Sequence, residues 1–162
     1  MGNRGGSTSR ISGLGASIRS KVKDQRSKVK GEIVIEVEAL HHVAVCVTDV
    51  ERAKHFYGVV LGLVEVERPP FPFGGAWYEF SEGRQLHLIV HPPTKTLRGS
   101  SDIDDRDGHL ALRVRSYRQT LNHLRAHGVD VLEKPRNLTP WAQLYVTDPD
   151  GNVIELNAEI LD

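Results

Sequence analysis

Beyond position 38, apolar residues recur in two rhythms: a period of two over short runs and a period near 3.6 over two longer ones. Alternation predicts strands over Leu40–Thr48, Leu63–Arg68, Ala76–Phe80 and Gln85–His91 in a first half. It predicts strands over His109–Arg115, Val129–Glu133, Ala142–Val146 and Val153–Asn157 in a second. Each half carries one helix after its first strand. Val50–Leu61 places Val50, Ala53, Tyr57, Val60 and Leu61 on one stripe, and Tyr117–His127 does the same with Tyr117, Leu121 and Leu124. Gly62 and Gly128 follow where a left-handed cap is wanted. Asp148-Pro149-Asp150-Gly151 reads as a tight turn, and Arg68–Gly75 and Pro92–Gly108 read as loops.

Both halves therefore read β-α-β-β-β, over about residues 38–92 and 108–158. Four polar residues interrupt the alternation at equivalent places. His42 and His109 are 67 residues apart, and His87 and Glu155 are 68 apart. Strand parity puts all four on the same kind of face. Val43, Val45 and Val47 oppose His42; Leu110, Leu112 and Val114 oppose His109; Leu86, Leu88 and Val90 oppose His87; Ile154 and Leu156 oppose Glu155. The apolar rows are expected to pack on the helices. If the two sheets curve toward each other, the four polar residues converge on one surface.

Charge separates the N-terminus from the rest. Residues 1–30 hold eight Lys or Arg against Asp24 alone, a balance of +7, although the whole chain is formally neutral. With Gly, Ser and basic residues and almost no aromatics, residues 1–37 cannot offset the entropy of ordering and read as a disordered tail before a domain at 38–162. As function, such a segment is either an organelle-targeting peptide on an otherwise cytoplasmic protein or a weak tether to an anionic surface. No run reaches the roughly 20 apolar residues of a membrane span. The one cysteine, Cys46, excludes an intrachain disulfide and reads as a small strand residue.

Three imidazoles and a carboxylate suit one borderline divalent ion, such as Ni, Co, Fe, Mn or Zn, with room left for a substrate. Arg113 shares the parity of His109 and is a candidate for binding an anionic substrate group. Trp77, Glu79 and Trp141 are candidates for the mouth of the same site. Other constellations lead nowhere. His123 and His127 have helical i, i+4 spacing but lie opposite the apolar stripe, without the Glu of a metalloprotease motif. The aspartates of Asp102–Gly108 miss the calcium-loop positions. Neither a phosphate-binding glycine loop nor a basic patch interleaved with aromatics is present, so nucleotide and nucleic acid are not expected.

Leu40-His41-His42-Val43-Ala44-Val45, Phe56-Tyr57 with Leu61-Gly62-Leu63, Gly108-His109-Leu110-Ala111, and the run Asp148–Leu156 together resemble the vicinal oxygen chelate superfamily. That superfamily includes glyoxalase I, extradiol dioxygenases, methylmalonyl-CoA epimerase and the fosfomycin- and bleomycin-resistance proteins. The resemblance covers about residues 38–158. It implies an α+β fold of two paired βαβββ modules forming a half-open eight-stranded barrel around a metal, in a homodimer that completes the pocket.

Its activity follows as an expectation: a divalent-metal-dependent, glyoxalase-I-like lyase or isomerase acting on a small oxygenated substrate through a metal-chelated enediolate. His42, His87, His109 and Glu155 would be ligands, with Glu155 also the catalytic base and Arg113 and Trp77 binding substrate. Two departures matter. Bacterial glyoxalase I usually has Glu where this chain has His87, and a metal-bound imidazole has no lone pair left to act as a base. Cys46 stands where an Arg typically binds glutathione, which argues against glutathione as the thiol carrier. The competing readings are a dioxygenase, which needs the position His87 would fill, and a fosfomycin-type thiol transferase. The latter is disfavoured by a chain ending seven residues after Glu155. The third is a non-enzymatic small-molecule binder of the resistance type.

Overall fold

In the computed structural model, residues 37–81, 83–90, 100, 102–159 and 162 are described. Residues 40–162 form one compact unit, divided from residues 1–39. Residues 1–36 of the expected tail and the last residue of the predicted strand Gln85–His91 lie outside the described residues.

The first module runs β1 (His42–Val47), α1 (Val50–Lys54), a π-helical turn (His55–Val60), β2 (Val64–Val66), β3 (Gly75–Ser81) and β4 (Arg84–Val90). The second runs β5 (His109–Arg113), α2 (Tyr117–Ala126), β6 (Leu132–Lys134), β7 (Ala142–Thr147) and β8 (Val153–Ala158). The pattern is the one read from the sequence, with two adjustments. The predicted helix over 50–61 switches halfway to a wider turn, in which Leu61 N–H donates to the Phe56 carbonyl at 2.8 Å. The second and sixth predicted strands shrink to three residues each, at the outer edges of the sheets.

Local chemistry sets the helix ends. Asp49 accepts from Arg52 N–H at 3.0 Å and Ser116 from Gln119 N–H at 3.1 Å, so each helix begins on a side-chain cap. Gly62 and Gly128 take φ of 70° and 69°, the left-handed conformation expected of them.

The strands form two four-stranded sheets, ordered β1-β4-β3-β2 and β5-β8-β7-β6. In each, the first strand pairs parallel with the last and the other pairings are antiparallel. The sheets do not close into a barrel, which agrees with the half-open arrangement expected. One apolar core serves both modules: Leu86, Leu88 and Tyr78 of the first sheet and Leu144, Ile154 and Leu156 of the second pack with Phe56, Tyr57, Leu121 and Leu124. Parity thus holds, since the apolar rows bury toward the helices and the polar rows face away.

Polar contacts between the modules converge on the turn between β7 and β8. Asp148 accepts a buried hydrogen bond from the Tyr57 hydroxyl at 2.9 Å. Asp150 accepts from Thr48 N–H at 3.0 Å, Thr48 Oγ1 at 2.5 Å and Arg52 at 2.7 Å. Asn152 Nδ2 donates to the Cys46 carbonyl at 3.0 Å. Burial pushes the Asp148 carboxyl above its ordinary value, while hydrogen bonds from Asn152, Tyr57 and Asp150 work against that rise. Burial and the Asp148 carboxylate push the Tyr57 hydroxyl up, so it stays protonated and donates.

Tyr57→Phe removes one partner of a buried, charge-assisted hydrogen bond without changing ring volume. It should lower unfolding stability by about 1–3 kcal/mol. The check is the urea midpoint, with the slope of the transition unchanged.

Candidate functional site

Strand register arranges the helix-free face of each sheet as rows. On the first sheet, His42, Gln85, Glu79 and Val64 form one row, and Ala44, His87, Trp77 and Val66 the next. On the second, Ala111, Glu155, Tyr145 and Leu132 form a row, followed by Arg113, Asn157, Gln143 and Lys134. His109 begins the row before these. Ala44 and Ala111 match, as do His87 and Glu155, and Trp77 and Tyr145, the last pair 68 residues apart like His87 and Glu155.

The four sequence-predicted ligands come together two by two. His42 and His87 stack with ring centroids 4.2 Å apart, and Trp77 stacks on the other face of His87 at 4.1 Å, nearly parallel. His109 Nε2 lies 3.2 Å from Glu155 Oε2. Among the described residues, no three His, Cys, Asp or Glu side chains approach closely enough to hold one ion. A single copy therefore offers two donor pairs, one per module, rather than a four-donor cluster.

Protonation logic sharpens what each pair can do. A carbonyl can only accept, so the 2.7 Å contact between His109 Nδ1 and the Asp107 carbonyl places the proton on Nδ1. In the neutral ring, Nε2 is then a lone pair facing a carboxylate oxygen. Two acceptors at that distance require a positive charge to reconcile them, either a proton on the imidazole or a cation bound by both. A metal-ligating histidine commonly has its other nitrogen tied to a backbone carbonyl in this way. The donor chemistry of this pair fits a divalent ion. On the first module, His87 Nε2 donates to Gln85 Oε1 at 2.9 Å, and the Nδ1 atoms of His41 and His42 share a proton at 2.8 Å. Burial, then His42, His41 and Arg68, push the His87 imidazole below its ordinary value, so the ring is neutral and keeps a lone pair.

Glu155 is 5% exposed and is held by its neighbours. Tyr145 hydroxyl donates to Oε2 at 2.8 Å and Asn157 Nδ2 to Oε1 at 2.7 Å, while Gln143 Nε2 donates to the Tyr145 oxygen at 2.9 Å. Burial works to raise the Glu155 carboxyl, but the Gln143, Tyr145 and Asn157 side chains and then His109 outweigh it and hold the carboxyl below its ordinary value. Burial, then Glu155 itself, pushes the Tyr145 hydroxyl well up, which keeps it a donor.

Of the substrate-binding candidates, Trp77 lies in the aromatic stack with His87. Arg113 is exposed, with its guanidinium 5.4 Å from the Trp141 ring centroid. Glu79 accepts from Gly83 N–H at 3.3 Å, turned toward the β3–β4 turn. Cys46 is a half-buried strand residue. His123 is exposed, as expected of it, and also bonds to the Val60 carbonyl of the first module at 2.9 Å. Sequence reasoning missed Tyr145, Asn157 and Gln143. The signal was available: Tyr145 is the repeat partner of Trp77, and Asn157 shares the parity of Glu155.

The family model described as the Glyoxalase/Bleomycin resistance protein/Dioxygenase superfamily matches residues 39–156. The chain is 26% identical over 132 residues to the metallothiol transferase FosB of Staphylococcus saprophyticus, covering 77% of this chain and 80% of that protein. It is 27% identical over 125 residues to a protein of Synechocystis named "Probable lactoylglutathione lyase", covering 72% and 92%. The crystal structure of TnmS3, an antibiotic binding protein from Streptomyces, superposes with a TM-score of 0.60 at 28% identity, covering 77% of this chain and 98% of that one. With about three quarters of its length matched, the chain belongs to the Glyoxalase/Bleomycin resistance protein/Dioxygenase superfamily.

Proposed function

We propose that this protein is a divalent-metal-dependent, glyoxalase-I-like lyase or isomerase acting on a small oxygenated substrate. Each site would be made by two copies, His42 and His87 of one subunit meeting the partner subunit's His109 and Glu155. The observation that carries the reading is the His109 lone pair set against the Glu155 carboxylate, in a pair whose counterpart sits at repeat-equivalent positions on the other module. One copy supplies two donors at a time, and a second copy supplies the other two by the symmetry of a closed dimer.

The chemistry such an ion supplies when bound is polarisation of a substrate oxygen, which makes a neighbouring carbon-bound proton acidic. Glu155 takes that proton and returns it to the adjacent carbon. Its readiness follows from its surroundings. Tyr145 and Asn157 fix both carboxylate oxygens, and the depressed carboxyl stays ionised at neutral pH. His87, neutral and stacked between His42 and Trp77, suits the role of ligand. Trp77 then forms an apolar wall beside it, and Arg113 offers a cation two strand residues from Ala111. The relatives carry different activities in their names, a thiol transfer and a lyase, so reaction type is the part of this reading that assay must decide.

Three outcomes are expected. First, the purified protein should contain a divalent ion, and with Ni, Co, Zn or Fe restored separately it should turn over a hemithioacetal of methylglyoxal, formed with glutathione or with another small thiol. Absence of turnover with every metal removes the lyase assignment, and a wild-type protein that binds none removes the metal site as well. Second, the His42→Ala/His87→Ala and His109→Ala/Glu155→Gln proteins should each lose the metal. Mixed under subunit exchange, they should regain about a quarter of wild-type content, because half of random dimers are mixed and each holds one intact site. A single-chain site would regain none. Third, the lowered Glu155 carboxyl contributes stability that is full above the ordinary carboxylate range and lost as pH falls through the lowered value. Tyr145→Phe removes a donor and should shrink that acid loss, read from urea midpoints of metal-free protein at about pH 7 and about pH 4.

A further inference from the structure

Beyond the Glu155 carboxylate, the next row of the second sheet is polar and incompletely partnered. Asn157 is 8% exposed, and its Oδ1 is buried with no hydrogen-bond partner among the described residues. Its amide cannot be turned to relieve this. Nδ2 must donate to Glu155 Oε1, because a carboxylate only accepts, and that leaves Oδ1 as the atom without a partner. The same reasoning fixes the neighbouring amide. The Tyr145 proton goes to Glu155, so the Tyr145 oxygen accepts from Gln143 Nε2. Directionality thus runs from the row toward Glu155, and the Asn157 Oδ1 acceptor is left unbonded.

Arg113 is the register partner of Asn157. It has no ion pair or hydrogen bond among the described residues and rests over Trp141 at 5.4 Å. Trp141 Nε1 is likewise buried without a partner. Arg113 also lines a cavity of ≈ 540 Å³, with Ala111, Glu79 and Val64 on its walls. That size falls in the range of small-molecule sites.

We infer that Arg113 and Asn157 form a substrate subsite that recognises a 2-hydroxy carboxylate group, the carboxylate on the Arg113 guanidinium and the hydroxyl donating to Asn157 Oδ1. This rests on the reading of Glu155 as the centre of the site. A plain carboxylate satisfies Arg113 but sets its own lone pairs against the Asn157 oxygen. An amino group in place of the hydroxyl would carry positive charge beside the guanidinium. The hydroxyl is the donor that suits both neighbours, and it removes the cost of leaving a buried acceptor unpaired.

Ligand-observed NMR titration of the full-length protein tests this, with mandelate against phenylacetate and lactate against propionate as probes. Wild-type protein should bind each hydroxy acid about tenfold more tightly than its deoxy partner, the scale of one hydrogen bond. Asn157→Ala should bring that ratio to about one. Arg113→Met, an exposed position, should weaken all four acids by roughly tenfold while keeping the ratio. Equal binding of hydroxy and deoxy acids by wild-type protein, a preference that survives Asn157→Ala, or no binding of any probe overturns the subsite. Metal content measured on the same samples separates the two ideas: loss of selectivity with metal retained removes the subsite alone, and absent metal with selectivity retained removes the metal reading alone.

Discussion

Among the described residues, no backbone ladder joins the two halves of this molecule. β1 and β5 are edge strands of separate four-stranded sheets, and a cavity of ≈ 370 Å³ opens beside them, lined by Cys46, Tyr57, His109 and Asn152 among others. What couples the modules is the shared apolar core together with the turn Asp148–Asn152, whose side chains bond to Tyr57, Thr48, Arg52 and the Cys46 carbonyl. Apolar burial is strong but non-directional, so it brings the modules together without fixing their angle. The directional bonds do that. Because the same turn feeds β8, the placement of Glu155 relative to β1 follows from how Asp148, Asp150 and Asn152 seat on the first module.

The second dependency is the direction of hydrogen bonding around Glu155. A carboxylate 5% exposed is costly to ionise unless donors replace the lost water. Here Tyr145 and Asn157 supply them, and Gln143 supports Tyr145. The arrangement has a consequence at its edges. The His109 proton goes to the Asp107 carbonyl and the Asn157 amide to Glu155, so His109 presents a lone pair and Asn157 an unbonded oxygen, and both ask for something a ligand brings. The first module is built differently. Its donors, His42 and His87, are held by ring stacking with Trp77 rather than by a carboxylate network. The halves of the repeat match in position and differ in chemistry.

Much of this was legible without coordinates. Side-chain parity is a property of the extended backbone itself, so His42, His87, His109 and Glu155 could be assigned to the face opposite Val43, Leu86, Leu110 and Ile154 from alternation alone. Duplication showed in the spacings of 67 and 68 residues, which placed those four at equivalent points of two modules. The helix ends followed from Asp49, Ser116, Gly62 and Gly128, all local signals. The Asp148–Gly151 turn was readable as a turn for the same reason.

What that turn holds was not readable. Tyr57 and Asp148 are 91 residues apart, and Cys46 and Asn152 are 106 apart, so no local rule links them. Nor does parity say which residues stand beside each other across strands. Tyr145 fell beside Glu155, and Asn157 beside Arg113, only once register was known. Parity also says which way a side chain points and nothing of how far apart two sheets lie. The sequence by itself determined the two modules and the common face of the four donors, because backbone geometry encodes both within a few residues. Tertiary structure decided that one copy gathers those donors as two pairs, because the distance between sheets is set by packing among residues that are distant in the chain.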